Sequence, residues 1–574
     1  MTLDNSWSAY IFRDGKVALD GRKLVKDLAA RLRELCHAAG HSRGNLMMDV
    51  LLRAGELECA LRDAGSPDAG IAESVTDRVA DALVNGTVLS WQQAARAVEQ
   101  IIAPGEVKVA PPEGFAYYSL HPLDMADLTR GSAPRSSFAA VVGIRSIGTT
   151  LSATVQATLR GVGVRAERTT VRPAGHPYNR ETHFPEEQLA WIAKMRSHNA
   201  PFLVVDEGPG MSGSSFLSVG DALLAAGVAR SDISFLCTRQ ADPSTLTANN
   251  AAERWPAFKA YYTSPTRYLP SDAKQYIAGG IWRAKAFASE EEWPGSWIQM
   301  ERLKFLSHDG SRLFRYEGLG RFGEEVRLRA VKVAEFGFGP MPQEPEQGFG
   351  VYPMLAGRYL SAQDAKPDVL DRIAEYCAFL TRELPSTVDR TPELETMLRF
   401  NTQEEFGIEL PLHLRGLAIE RPVIADGRML PHKWMQSPSG ESPNGNGWRK
   451  TRLIKIDSAS HGDDHFFPGP TDIAWDLAGT IVEWRLGAEA ASYLLERYRV
   501  RSGDDAARRV PAYLLAYGVF RTAYCKMAAA AMKDHPEQPR MYREYQRYRE
   551  QSLGFLAQFG CMAPSLERNK AQVA

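Results

Sequence analysis

Between residues 21 and 100 the apolar side chains recur every three or four positions, as in Leu24, Leu28, Leu32 and Leu35 and again in Val50, Leu51, Leu57 and Leu61. That period belongs to helices with one buried face and predicts a helical N-terminal region over 1–112. The run APGEVKVAPPEGF (103–115) then clusters proline and glycine and marks a boundary. Beyond it, short apolar runs at 138–144, 162–171, 202–205 and 233–237 are separated by helical patterns, which predicts a parallel sheet with helical crossovers over 113–245. Residues 246–295, with Pro256, Pro265, Pro270 and the Gly279, Gly280 pair, read as a linker with some helix. In the remainder, 296–574, ERLKFLS and RLFRYEG flank the turn HDGS and predict a β-hairpin. A helix is expected over 323–336, and helices dominate from Asp364 onward, broken by the surface loop SPSGESPNGNG (437–447). The fold class expected is multidomain, α/β plus α+β.

A chain of 574 residues exceeds one ordinary core, at roughly 150 residues per domain. Hydrophobic residues at 44% and charged residues at 24% exclude extensive disorder. With 68 basic and 69 acidic side chains there is no global field to draw the protein onto nucleic acid or anionic membrane, so any phosphate binding must be local. The six cysteines (Cys36, Cys59, Cys237, Cys377, Cys525, Cys561) form no CxxC pair and read as buried thiols of a reducing cytoplasm. No stretch offers a signal peptide or the roughly 20 apolar residues of a membrane helix, so a cytoplasmic location is expected.

Chemistry enters at 204–216, VVDEGPGMSGSSF. A strand runs into Asp206 and Glu207, and a loop of small residues leads into a helix. That places two acids at the carboxyl end of a parallel strand, where open α/β sheets bind ligands, beside backbone N–H groups suited to a phosphate. The alternative is an ordinary strand-to-helix turn with a solvated acid pair. The arrangement resembles the signature of type I phosphoribosyltransferases, in which two acids and a Thr-Gly-x-Thr-like loop bind phosphoribosyl pyrophosphate. The resemblance implies that Asp206 and Glu207 hold the ribose hydroxyls and act in catalysis, and that Met211, Ser212, Gly213, Ser214 and Ser215 cradle the 5-phosphate. Serines here replace threonines, and the loop is about one residue longer than the family's. VVGIRSIGTTL (141–151) stands where that family binds pyrophosphate, making Arg145 and Ser146 its expected ligands. TTVRPAGHPYNRETHF (169–184) stands at the mobile flap and adds Arg172 and Arg180.

A second constellation lies in RLIKIDSASHGDDHFFPGPTDIAWDLAG (452–479) and VIADGRMLPHKWM (423–435). Their order resembles the aminoglycoside phosphotransferase branch of the kinase-like fold. The resemblance implies a two-lobed domain with Asp426 as base, Asp457 as Mg2+ ligand and Asp476 as a brace. Kinase chemistry uses separate carboxylates because one orients the acceptor hydroxyl while the other holds the metal on the nucleotide. Arg315, where a lysine is usual, would bind nucleotide phosphate and pair with Glu324 or Glu325. His432 or Lys433 stands near the family's metal-binding asparagine, and His432 is the expected metal ligand. VYPMLAGRYL (351–360) resembles the hinge. No glycine-rich loop is evident before the hairpin. The cluster His461, Asp463, Asp464, His465 reads as an exposed segment in preference to a metal site, and RMYREYQRYRE (540–550) as a helix face in preference to an RNA contact.

Together these features imply a bifunctional small-molecule enzyme. It would transfer phosphoribosyl between phosphoribosyl pyrophosphate and a small acceptor, and a C-terminal domain would use ATP and Mg2+. The alternative is a nucleotide-sensing regulator with a degenerate kinase fold. A homo-oligomer is compatible with either.

Overall fold

The computed structural model describes residues 17–176, 178–263, 268–411, 414–438, 452–457 and 469–560. The cluster at 461–465, most of the 437–447 loop and Cys561 lie outside the described residues.

The N-terminal region is helical as its period requires: α1 (Gly21–Glu34), α2 (Gly40–Asp63), α3 (Ala69–Asn85) and α4 (Trp91–Glu99), closed by an antiparallel pair of β1 (Val17–Leu19) and β2 (Val107–Val109). Asp20 caps α1 by accepting the Arg22 N–H, and Ser90 caps α4 by accepting that of Gln93. Two short helices follow, α5 (Glu113–Ala116) and α6 (Pro122–Ser132).

Next come β3 (Phe138–Ile144), α7 (Ile147–Gly161), β4 (Arg165–Val171), the hairpin β5 (Ala174–His176) and β6 (Asn179–Glu181), α8 (Glu186–Ser197), β7 (Phe202–Val205), α9 (Ser214–Ala225), β8 (Ile233–Cys237), α10 (Ala251–Arg254) and β9 (Lys259–Tyr262). The sheet order is β4-β3-β7-β8-β9 and every pair is parallel. Side chains of successive residues alternate between its faces. Phe202 and Val204 join Ile192, Met195, Phe216 and Leu217 in one core, while Leu203 and Val205 join Leu151 and Val155 in another.

A second sheet, β10 (Gln275–Tyr276), β11 (Lys304–Leu306), β12 (Arg312–Tyr316) and β13 (Phe349–Pro353), is antiparallel throughout, with α11 (Arg283–Ala286) between its first two strands and α12 (Arg321–Glu335) before its last. The rest holds β14 (Arg358–Tyr359), α13 (Pro367–Glu383), α14 (Thr391–Phe406), β15 (Pro422–Val423), β16 (Trp434–Ser437), β17 (Arg452–Lys455), β18 (Thr471–Asp472), α15 (Ala474–Glu483), α16 (Ala488–Ser502), α17 (Val510–Ala531) and α18 (Gln538–Gln558). A large core centred on α13, α15 and α17 holds this helical part together.

The expected hairpin, the parallel sheet and the helical C-terminal region are all present. Residues 246–295, however, are more than a linker. They supply the fifth parallel strand, β9, and β10 of the antiparallel sheet. Strands of four and two partly exposed residues are too short to show a period. The expected strand at 162–171 starts at Arg165, because Val162 ends α7. Cys237, Cys377 and Cys525 are buried thiols as expected, but Cys36 is exposed and Cys59 only partly covered. No helix among the described residues is long and apolar enough to cross a membrane.

Candidate active sites at two carboxylate clusters

The first cluster lies at the carboxyl edge of the parallel sheet. The four buried residues of β7 bring Asp206 to the strand end, where backbone N–H groups of Gly148 and Glu207 donate to its carboxyl. Gly148 is at the start of α7, and the approach leaves no room for a side chain: a Cβ there would stand 2.5 Å from the Val205 carbonyl oxygen. Glu207 is held differently. The Gly114 N–H donates to its carboxyl, while its main-chain oxygen accepts the Thr238 N–H and Oγ1, at 3.0 and 2.6 Å. Burial pushes Asp206 up to about 7. Burial, then repulsion from Glu113 and Asp206, pushes Glu207 up to about 8.

Between β3 and α7 only Arg145 and Ser146 intervene. Ser146 has φ +111°, a conformation that costs a non-glycine residue on the order of 1–3 kcal/mol and is found at functional loops. Arg145 donates to Thr170 Oγ1 and to the Thr170 carbonyl, both at 3.3 Å, and to Asp63 at 3.0 Å. Arg172 donates to the Arg145 carbonyl at 2.7 Å and to Asp63, and it lies near enough to Asp206 to lower that carboxyl's pKa. Arg180, on the β5–β6 hairpin, donates to the Pro173 carbonyl. The loop after the acids is tied down where Thr247 and Ala248 N–H groups donate to the Met211 and Ser212 carbonyls. Ser212 Oγ accepts the Ser214 N–H at the start of α9, beside Gly213, and Ser215 accepts from Ser218, which also meets Thr182 beyond the hairpin. The sequence-predicted residues of this site thus converge on one sheet edge, with Arg180 farther out on the hairpin.

The second cluster is built on a buried ammonium. Lys455 Nζ lies 3.0 Å from Asp426 and 3.1 Å from Asp457, and its side chain and that of Asp426 are both 0% exposed. Asp426 also accepts the Tyr376 hydroxyl at 2.8 Å and the Arg428 N–H at 3.1 Å. Asp476 takes the N–H groups of Asp426 and Gly427 at 2.9 and 2.8 Å, the bracing its place in WDLAG suggests. The second Asp457 oxygen faces Lys433 Nζ at 2.7 Å. Burial raises Asp426 despite Lys455, and burial followed by repulsion from Asp426 pushes Asp476 up to about 7. Lys455 is held above its ordinary value because the two carboxylates outweigh burial.

Two expectations are corrected here and a third is qualified. Glu324 does not pair with Arg315: it pairs with Arg31 of α1 at 2.8 Å, while Arg315 pairs at 2.6 Å with Glu317, two residues on and just past the end of β12. His432 sets its ring against Trp282 and Phe287, and burial pushes it down to about 3 despite the nearby Asp457 charge. Lys433, the neighbouring residue, is the one that pairs with Asp457. The Mg2+ expectation is qualified by the donors present: both Asp457 oxygens are met by ammonium groups, Lys455 and Lys433, which a bound cation would have to share or displace. Among the described residues no group of three His, Cys, Asp or Glu side chains is placed to hold a metal. Lys455 had a signal in the sequence, since two residues apart on a strand means the same face as Asp457. Asp63 had none.

No family model and no curated protein matches the chain. Solved structures align with part of it. An ethanolamine kinase from Plasmodium vivax is 11% identical over 43% of this chain and 79% of its own, with TM-score 0.29. A choline kinase from Streptococcus pneumoniae is 14% identical over 44% and 89%, with TM-score 0.30. A macrolide 2'-phosphotransferase from Brachybacterium faecium is 14% identical over 43% and 88%, with TM-score 0.29. At these TM-scores the alignments decide neither fold nor chemistry, and both clusters stand on their own side chains.

Two outcomes follow. Asp206 and Glu207 have folded-state pKa values raised above 3.8 and 4.5, so the native state binds the extra protons; their contribution to stability is complete below about pH 4 and lost as pH rises to about 8. The melting temperature of the wild type is expected to fall between about pH 5 and about pH 8.5 more steeply than that of the Asp206→Asn, Glu207→Gln variant, as calorimetric melts would show; equal slopes would refute the shifted pair. Lys455→Met leaves the buried Asp426 without its counter-charge, Asp457 keeping Lys433, and is expected to cost about 3–5 kcal/mol in denaturant unfolding; a cost below about 1 kcal/mol would show that the ammonium is dispensable.

Proposed function

We propose that the first half is a transferase of the phosphoribosyl class, acting on a sugar diphosphate such as phosphoribosyl pyrophosphate and a small acceptor. The observation that carries this is the meeting, at one edge of the parallel sheet, of the Asp206 and Glu207 pair, the Arg145–Arg172 cations and the Ser212–Ser215 start of α9. Each part suits one portion of such a ligand. Carboxylates accept ribose hydroxyls, guanidiniums meet the diphosphate, and the amides at a helix start receive a terminal phosphate. Cleavage of the glycosidic bond to a diphosphate develops negative charge on the leaving group, and two cations held by backbone acceptors offset it without reorganising. Ionised carboxyls accept hydroxyls more strongly than protonated ones, so ligand binding near pH 7 is expected to release protons from this raised pair. Titration calorimetry with phosphoribosyl pyrophosphate and Mg2+ is the test: binding by the wild type and none by the Asp206→Asn, Glu207→Gln variant is expected, and equal binding by both would remove the assignment.

For the second half, nucleotide-dependent phosphotransfer is the activity its sequence resembles, but the two lysines on Asp457 favour the alternative, a kinase-like module that regulates and does not turn over. An acceptor base must be free to take a proton, whereas Asp426 already meets Tyr376, Lys455 and the Arg428 N–H. Lys433→Asn removes one cation and supplies an amide oxygen. We expect magnesium-dependent ATP consumption to be absent in the wild type and to appear in this variant; steady turnover by the wild type, lost in Asp426→Ala, would restore the phosphotransferase reading.

A further inference from the structure

The N-terminal helical region enters the first site through one side chain. Asp63 is the last residue of α2, and its carboxylate receives Arg145 NH1 at 3.0 Å and Arg172 Nε at 3.1 Å, with Arg172 NH2 on the same oxygen. It remains 27% exposed. Two features make this contact more than a surface ion pair. First, α2 is seated so closely on α7 that a Cβ at Gly55 would stand 2.1 Å from Thr150 Oγ1, which fixes where the helix ends. Second, a carboxylate in the last turn of a helix faces the negative end of the helix dipole and is disfavoured there unless cations hold it.

The two guanidiniums do not depend on Asp63 for their positions. Arg145 is also held by Thr170 Oγ1 and the Thr170 carbonyl, and Arg172 by the Arg145 carbonyl and the Cys59 sulfur at 3.1 Å. Removing the carboxylate would leave both cations in place without their nearest counter-charge. On the reading of the first site given above, we infer that Asp63 is a specificity-determining residue that occupies the diphosphate subsite, so that a diphosphate binds there by displacing the carboxylate from Arg145 and Arg172. The exchange is of anion for anion. No bond is made or broken, and the Asp63 side chain, at a helix end and partly exposed, has solvent to swing into. A ligand carrying several charges on two phosphates can meet both guanidiniums at once. A monophosphate meets the same competitor with less charge, and the subsite therefore selects diphosphates.

Titration calorimetry with inorganic pyrophosphate, and with inorganic phosphate as comparison, tests this on the full chain. Asp63→Asn is expected to tighten pyrophosphate binding by about tenfold or more and to narrow the preference over phosphate. Asp63→Glu, which keeps the charge, is expected to bind as the wild type does, and adding Arg172→Gln to Asp63→Asn should abolish the gain. If Asp63→Asn misfolds, as judged by circular dichroism and melting, Asp63→Ser serves in its place. Pyrophosphate binding by the wild type that is unchanged or weakened in the folded variant overturns the inference and leaves the phosphoribosyl reading standing. Absence of pyrophosphate binding in wild type and variant alike overturns both.

Discussion

A parallel sheet with crossover helices has two apolar faces to bury, and here one of them is closed partly by another sheet. Leu203, Val205 and Leu236 share a core with Phe305, Phe314, Tyr316 and Phe349 of the antiparallel sheet. Because this interface is interior, the two halves cannot move apart without exposing apolar area at about 25 cal/mol per Å2. The ends of β7 and β12 are therefore fixed relative to each other. The segment between them is held from both sides, with Gly114 donating to Glu207, and the Tyr316 hydroxyl and Leu319 N–H donating to the Phe115 carbonyl at 2.6 and 2.9 Å. Burial of Glu207, and with it the raised pKa, is a consequence of that closure.

The two carboxylate clusters meet the cost of buried charge with different partners, although burial raises Asp426 and Asp476 at the second as it raises Asp206 and Glu207 at the first. At the second cluster lysines supply the counter-charge, so Asp426 and Asp457 with Lys455 and Lys433 form a network of two carboxylates and two ammonium groups, with further hydrogen bonds from Tyr376 and the backbone. At the first cluster Asp206 and Glu207 are held by backbone N–H groups, and their carboxyls respond by shifting toward the protonated form. Carboxyls in that condition gain from an incoming donor or cation.

The elements carrying the first site were legible because each has a local signal. Four apolar residues, two acids and a run of small residues before a helix specify strand, turn and helix without help from elsewhere. β9 and β10 were not legible, since edge strands of four and two residues are selected by the sheets that receive them. Side-chain partners were harder still. Glu324 lay in the expected helix, but α1 of the N-terminal region offered Arg31, and Arg315 found Glu317 only two residues on, just past its own strand. Pairings across about 290 residues depend on how whole units dock, and no period in one segment encodes them.

The same dependence explains why the N-terminal region, featureless in its own sequence, bears on the first site. Arg168 of β4 is fully buried and meets Glu58 of α2 through both guanidinium NH groups at 2.8 and 2.7 Å, with Asp77 of α3 on its Nε. A buried arginine with this many acceptors is expensive to uncover, so α2 is anchored on the sheet's edge strand five residues before it ends at Asp63. The helical region thus supplies a carboxylate on the Arg145–Arg172 side of the cluster while α5 meets Glu207 through the Gly114 N–H on the other. Charge balance at the first site is consequently set by three parts of the chain together, and a ligand that changes it must act against two docked interfaces, one on each flank.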